Sequence, residues 1–289
     1  MPRNSRIIDT LKSRFSRIHV EISPPRTAST ALSRALWGSP EIGFHSHEPF
    51  ESRYWGSASF EESEKALLNP LRIADETRPE WNSEMPQERE SLLIKDMTFQ
   101  VDEECFELLA ELTTEPILFS FRDPRLALHS RLRKVRELGR GNTFPPFESG
   151  WYSFRDQMAA CEKQGLDYAI VDTSDLRAQP VPVLREIYHR LGLTFSDDVT
   201  SWKPRSHLHL CEPEVGALMS DARRESDPFF RRVLGSSGIQ PVDQVDLDAL
   251  EEELADVGLA AHLAECMDIY AQSLGNPHRV MAPTSESGI

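Results

Sequence analysis

Apolar and polar residues alternate from Ile18 to Ile22 and stop at Ser23-Pro24-Pro25, which predicts a short strand running into a loop. Residues 29–37 then take helical spacing, with Ser29 or Thr30 placed to cap. A brief extended stretch at 42–44 leads into His45-Ser46-His47-Glu48-Pro49-Phe50. Residues 51–90 are polar, acidic and proline-containing, an excursion with some helix in the position of a lid. Further strands are predicted at 92–94, 116–121 and 168–171, and helices at 103–113, 124–138, 151–164 and 181–191, the last closed by Gly192. Strands alternating with helices predict an α/β fold, a parallel central sheet with helices on both faces. The chain reads as one domain over 1–289. Its core covers about 17–205, a helical C-terminal extension covers 206–275 with helices near 213–234 and 247–274, and a loose tail covers 276–289.

Composition narrows the function. The 289 residues are 39% hydrophobic and 27% charged, a globular balance, with net charge −15 and pI about 5.1. Such acidity argues against nucleic acid or an anionic membrane as partner. The N-terminus is basic but lacks the apolar region of a secretory signal, and no apolar run reaches the roughly 18 residues of a membrane span. Cys105, Cys161, Cys211 and Cys266 are far apart, as expected of reduced thiols in a cytoplasmic protein. Monomer and homodimer are both open. One stretch departs from the acidic average: Arg122, Arg125, Arg131, Arg133, Lys134, Arg136 and Arg140 face only Asp123 and Glu137. Such an island is either a solvated helix face or a site for a small anion.

The junction at Pro24-Pro25-Arg26-Thr27-Ala28-Ser29-Thr30 favours the anion. Unpaired N–H groups at a helix start point outward, and the helix dipole favours negative charge there. Ser29 and Thr30 add hydroxyls, and Arg26 adds a charge suited to phosphate or sulfate oxygens. An ordinary capped helix with a solvated arginine has the same composition. GxxxxGK[ST], the nucleoside triphosphate loop, is missing. In the second segment, Arg122 ends a strand, Arg122-Asp123-Pro124-Arg125 reads as a charged helix start, and Ser130 follows eight residues after Arg122, two helical turns on.

These segments resemble the sulfotransferases that use 3′-phosphoadenosine 5′-phosphosulfate (PAPS). Pro25, Arg26, Thr27, Ala28, Ser29 and Thr30 match that family's 5′-phosphosulfate loop in order, with Ala28 where the family usually has glycine. Arg122 and Ser130 match its 3′-phosphate pair. The stretch 143–204 is similar to bacterial sulfotransferase-like proteins through Glu148-Ser149-Gly150, Val171-Asp172 with Asp175-Leu176, and Ser201-Trp202-Lys203-Pro204. The resemblance spans roughly 17–205 and implies a P-loop-like sulfotransferase fold, PAPS as donor, no metal, and a small-molecule acceptor.

Sulfuryl transfer needs a base, cationic stabilisation of the moving group and neutralisation of the leaving phosphate. The resemblance gives Arg26 the cationic role. For the base, some relatives use a histidine after a Lys-Thr pair. Here the comparable stretch is Ile94-Lys95-Asp96-Met97, with methionine in that place. Another branch uses a glutamate before proline, which selects Glu48, with His47 and His45 as alternatives. The pairs His45/His47 and His207/His209 lack the supporting ligands of a zinc site. Trp151, Trp202, Tyr54 and Trp55 serve either core packing or stacking on a base or acceptor. A small-molecule kinase and a binding protein without turnover are the competing readings.

Overall fold

The computed structural model describes residues 3–56, 60–73, 91–202, 204, 211–212, 235–242 and 244–282. The predicted helices near 213–234, and residues 74–90 of the acidic excursion, lie outside these.

Among the described residues seven strands form one sheet: β1 (Arg17–Ser23), β2 (Ile42–His47), β3 (Leu71–Ile73), β4 (Ser91–Met97), β5 (Ile117–Phe121), β6 (Tyr168–Asp172) and β7 (Cys211–Glu212). Their order is β6-β5-β1-β4-β2-β3-β7. The five strands from β6 to β2 pair in parallel, while β3 pairs antiparallel with both β2 and β7. The five parallel strands are those the sequence pattern predicts. β3 and β7 escape it because three and two residues are too short to show a period.

Helices cover both faces. On one side α1 (Arg3–Arg14), α5 (Glu103–Leu112), α7 (Trp151–Gln164) and α11 (Ala260–Leu274) set Ile7, Leu109, Trp151 and Leu263 into one apolar cluster with Ile18, Val20, Ile22, Ile94 and Phe119 of the sheet. On the other, α2 (Ser29–Trp37) and α9 (Pro180–Arg190) set Leu32, Leu36, Leu184 and Tyr188 against Leu93, Leu118 and Val171. Double covering buries the polar positions of the alternating first strand too: His19 and Glu21 are fully enclosed. The remaining described helices are α3 (Glu51–Tyr54), α4 (Phe60–Leu68), α6 (Pro124–Glu137), α8 (Thr173–Ala178) and α10 (Leu247–Asp256). Among the described residues, no helix is long and apolar enough to cross a membrane.

Residues 276–282, expected in a loose tail, are held in place instead. Val280 N–H donates to Ile170 O at 2.8 Å and Ile170 N–H to His278 O at 3.1 Å, so this segment covers the outer edge of β6. Arg279 pairs with Asp175 at 2.6 Å, and Val280 is buried. The helical stretch expected at 247–274 is two helices, broken where Gly258 takes φ 80°. The acidic α10 lies on the basic α6, with Glu253 bonded to both His129 and Arg136.

Gly150 locks the first loop to this frame. It sits at φ 76° between a 3-10 turn at Pro146–Ser149 and the start of α7, and its carbonyl accepts from Thr98 Oγ1 at 2.7 Å. A Cβ there would lie 2.4 Å from Thr98 Oγ1, 2.9 Å from Pro25 Cδ and 3.2 Å from Pro24 Cα. Gly150→Ala is therefore expected to cost about 2–3 kcal/mol by adding overpacking to backbone strain. Gly56 has φ 69° and nothing within 4 Å of a Cβ, so Gly56→Ala carries the backbone cost alone, about 1 kcal/mol. Denaturant unfolding of the two variants measures the difference.

Candidate active site

The parallel strands all end on one edge, so the loops after β1, β2, β4 and β5 gather there. After β1 the chain runs toward β2, and after the neighbouring β5 it runs the opposite way, toward β6. That divergence opens a crevice between the β1 and β5 loops, the usual ligand position in open α/β sheets.

The β1 loop is unusual in its backbone. Arg26 has φ 69° and Ala28 φ 63°, two non-glycine residues in the left-handed region on either side of Thr27. Alternation of this kind turns successive N–H groups to one side, as in anion-binding nests. Ala28 occupies the N-cap position of α2 without a side-chain cap, so neither Ser29 nor Thr30 caps, as the sequence suggested. They form the first turn instead, where backbone N–H groups have no intrahelical acceptor. Thr27 is buried, and its hydroxyl donates to Pro24 O at 2.8 Å and lies 3.5 Å from Ser120 Oγ. Its hydroxyl thus shapes the loop, and what Thr27 offers a ligand is backbone.

The second segment follows β5. Asp123 caps α6 by accepting from Arg125 N–H at 2.9 Å, and Pro124 fits the first helical position, where an N–H is not needed. Arg122 is half-buried at the strand end. Two turns along α6, Ser130 Oγ accepts from Arg26 Nε at 3.1 Å, a bond between residues 104 positions apart. The two loops singled out in the sequence therefore touch. Much of the basic island is internally paired: Arg125 with Asp123, Arg131 with Glu148, Lys134 with Glu137 and Arg136 with Glu253.

Glu48 follows β2 in a left-handed conformation, φ 49°. Its N–H donates to Lys95 O at 2.6 Å, and its carboxylate accepts from Lys95 Nζ at 2.5 Å. The Lys95 side chain is fully buried and that of Glu48 is 10% exposed. His47 Nε2 lies 3.4 Å from the same carboxylate oxygen. His47 Nδ1 is 3.2 Å from His45 Nε2, and His45 Nδ1 is 3.1 Å from Leu93 O. A carbonyl only accepts, so His45 carries its proton on Nδ1 and takes one from His47 at Nε2. Of the three candidates for the base, His45 and His47 are thus hydrogen-bonded to each other, and Glu48 lies next to His47 in the grip of Lys95.

Near these residues stand buried titratable groups that sequence reasoning did not select. Burial, then repulsion from Glu48, pushes the Asp96 carboxyl well above the usual carboxylate range, against N–H bonds from Phe50 at 3.0 Å and Met97 at 2.7 Å. Glu21 of β1 stands opposite Lys95 in the strand register, and burial pushes its carboxyl up to about 7. His19 is lowered to about 3 by burial and by Arg17, so its ring stays neutral. The signal for Lys95 and Glu21 was there, polar residues within strands expected to be covered on both faces. Their pairing depends on a register that the sequence alone does not show.

Trp151 is core, packed on Phe154 and Tyr270. Trp202 lies under Arg34, whose guanidinium carbon is 4.8 Å from its ring. Tyr54 belongs to an aromatic group with Trp55, Phe99 and Phe147 just past Glu48, and Trp55 and Phe147 are about half exposed. Among the described residues no group of three or more His, Cys, Asp or Glu could hold a metal ion, and His207 and His209 lie outside them.

No protein-family model and no curated protein sequence matches the chain. Solved structures do. A sulfotransferase domain from the Synechococcus PCC 7002 olefin synthase aligns over 88% of this chain and 94% of its own, with TM-score 0.50 and 17% identity. A sulfotransferase domain from the curacin biosynthetic pathway aligns over 89% and 97%, with TM-score 0.45 and 16% identity. A mouse sulfotransferase complexed with PAP aligns over 93% and 94%, with TM-score 0.42 and 12% identity. The olefin synthase likeness establishes a sulfotransferase-like fold.

Ala28 holds a conformation that glycine adopts without strain. Ala28→Gly is expected to stabilise the protein by about 0.5–1 kcal/mol, the relief of a left-handed Cβ less the added chain entropy. Thermal unfolding checks the sign.

Proposed function

We propose that this protein is a PAPS-dependent sulfotransferase that moves a sulfuryl group to a hydroxyl or amine of a small molecule. The observation that carries the reading is the Arg26–Ser130 bond across the crevice between β1 and β5. It joins a strained, amide-rich loop fit for a 5′-phosphosulfate to a helix bearing the hydroxyl fit for a 3′-phosphate. A nucleotide with phosphates at both ends of its ribose engages both segments, whereas AMP and ATP leave Arg122 and Ser130 without a phosphate.

Bound there, PAPS supplies a sulfuryl group joined through oxygen to a good leaving phosphate. The acceptor oxygen or nitrogen forms the new bond to sulfur, the sulfur–oxygen bond to the 5′-phosphate breaks, and its electrons pass to that phosphate. Arg26 and the first amides of α2 meet the developing charge. The acceptor's proton goes to Glu48, whose place after β2 puts it on the same edge as the Arg26 loop. The Lys95–Glu48 ion pair is the observation that favours a second reading, binding without turnover, because it occupies the carboxylate. Release of 3′-phosphoadenosine 5′-phosphate (PAP) across a panel of alcohol, phenol and amine acceptors separates the two.

By calorimetry PAP is expected to bind far more tightly than AMP, and Arg122→Ala to weaken PAP by about 1.5–3 kcal/mol, the worth of a charge-assisted hydrogen bond. Equal affinities for PAP and AMP contradict the assignment. Glu48→Gln keeps size and hydrogen bonding but removes the base. Its kcat is expected to fall roughly 10²–10⁴-fold with PAP affinity nearly unchanged. If His47→Ala loses more in kcat than Glu48→Gln, the base is the histidine.

A further inference from the structure

The reaction above gives Glu21 no part, yet Glu21 is placed to control it. Its side chain is fully enclosed on β1. From α2, Ser33 Oγ donates to its Oε2 at 2.5 Å, while Oε1 has no hydrogen-bond partner. From β4 it faces Lys95, its partner in the register, and from β5 the uncharged Leu118. On its own strand, two residues away on the same face, is the neutral ring of His19. The register continues from Lys95 to His47 on β2. One row across three strands thus holds a carboxylate, an ammonium and His47, next to Glu48. The Lys95 ammonium bonds Glu48 at 2.5 Å, while Lys95 stands opposite Glu21 in the strand register.

We propose that Glu21 is a positioning residue: its buried negative charge draws the Lys95 ammonium away from Glu48, leaving that carboxylate able to take a proton, and Ser33 fixes Glu21 to the helix that carries the donor loop. With Glu21 neutral, Lys95 is committed to Glu48 and the base is occupied. With Glu21 ionised, the attraction on the ammonium is divided, and in a low-dielectric interior that division is worth more than it is at the surface. Burial sets the midpoint of this change at about 7, against the Ser33 hydrogen bond and Lys95, so the charge alters in the neutral range. Turnover is then low at acid pH and rises as pH passes through that midpoint. The effect on turnover rests on the sulfotransferase reading. The coupling of Glu21 to Lys95 does not.

Two readouts test this. In the first, carboxyl-carbon NMR follows Glu21 from acid to alkaline pH in the unliganded parent and in Lys95→Met. The parent midpoint is expected near 7 and is expected to move upward when the ammonium is gone. In the second, kcat is measured against pH with PAPS and any acceptor the panel provides. Glu21→Gln should keep PAP affinity within about twofold, lower kcat about tenfold at alkaline pH, as expected for a misplaced catalytic group, and lose the rising limb. Loss of fold does not mimic this. In the parent the folded state binds a proton that the unfolded chain has already released, so the parent loses stability as pH rises from about 4.5 through 7, and the glutamine variant escapes that loss. A Glu21 midpoint unmoved in Lys95→Met overturns the proposal, as does Glu21→Gln turning over with parental kcat and pH profile. A midpoint that moves in a protein that turns over no acceptor upholds the coupling and overturns the sulfotransferase reading.

Discussion

β1 is hydrogen-bonded on both sides, to β4 along its whole length from Arg17 to Ser23 and to β5 at Glu21 and Ile22. This double parallel pairing anchors the site edge of the sheet. It fixes the edge where the loops emerge and puts the loop at Arg26 beside the loop at Arg122. It also allows Arg26 to reach Ser130. A one-residue slip of β1 would turn His19 and Glu21 to the apolar cluster and Ile18, Val20 and Ile22 to the polar row. The alternation that marks β1 as a strand therefore also decides which side chains face each layer of helices.

The same pairing explains why charge is tolerated in the middle of the sheet. An isolated ammonium removed from water is costly, and the usual remedies are an opposite charge and complete hydrogen bonding. Lys95 has Glu48 at 2.5 Å, a sulfur contact to Met97 at 3.7 Å and Glu21 as its cross-strand neighbour. A core built for stability alone would fill these positions with valine or isoleucine, as β4 does at Ile94 and β1 at Val20. Polar residues kept at such a cost, together with left-handed Arg26, Ala28 and Glu48, concentrate at one edge. Local strain and buried charge collected in one place are what a working site imposes on a fold.

Much of this was legible in the chain. The five parallel strands, and the helices at 29–37 and 151–164, follow from periodicity and from proline and glycine punctuation. The Arg26 segment follows from where a strand meets a helix, and the Arg122 and Ser130 pair from its resemblance to a 3′-phosphate motif. What was not legible was of two kinds. Elements of two or three residues, such as β3 and β7, have no period to read. Relations between distant segments, such as Lys95 with Glu48, Arg26 with Ser130 and Val280 with Ile170, are set by strand order and register, which the pattern within one strand does not encode. The cap of α2 was misread for a local reason: Ser29 and Thr30 are good capping residues, but the left-handed turn at Ala28 moves the helix start ahead of them.

On the proposed function, the loops after β1 and β5 form one nucleotide site rather than two neighbouring surfaces. A double-mutant cycle on Arg26→Ala and Ser130→Ala, read as calorimetric affinity for PAP, tests it most directly. Residues that hold one ligand together are expected to show a coupling of about 1 kcal/mol or more. Losses that add to within about 0.3 kcal/mol, or a parent protein that does not bind PAP, would rule out a shared nucleotide site.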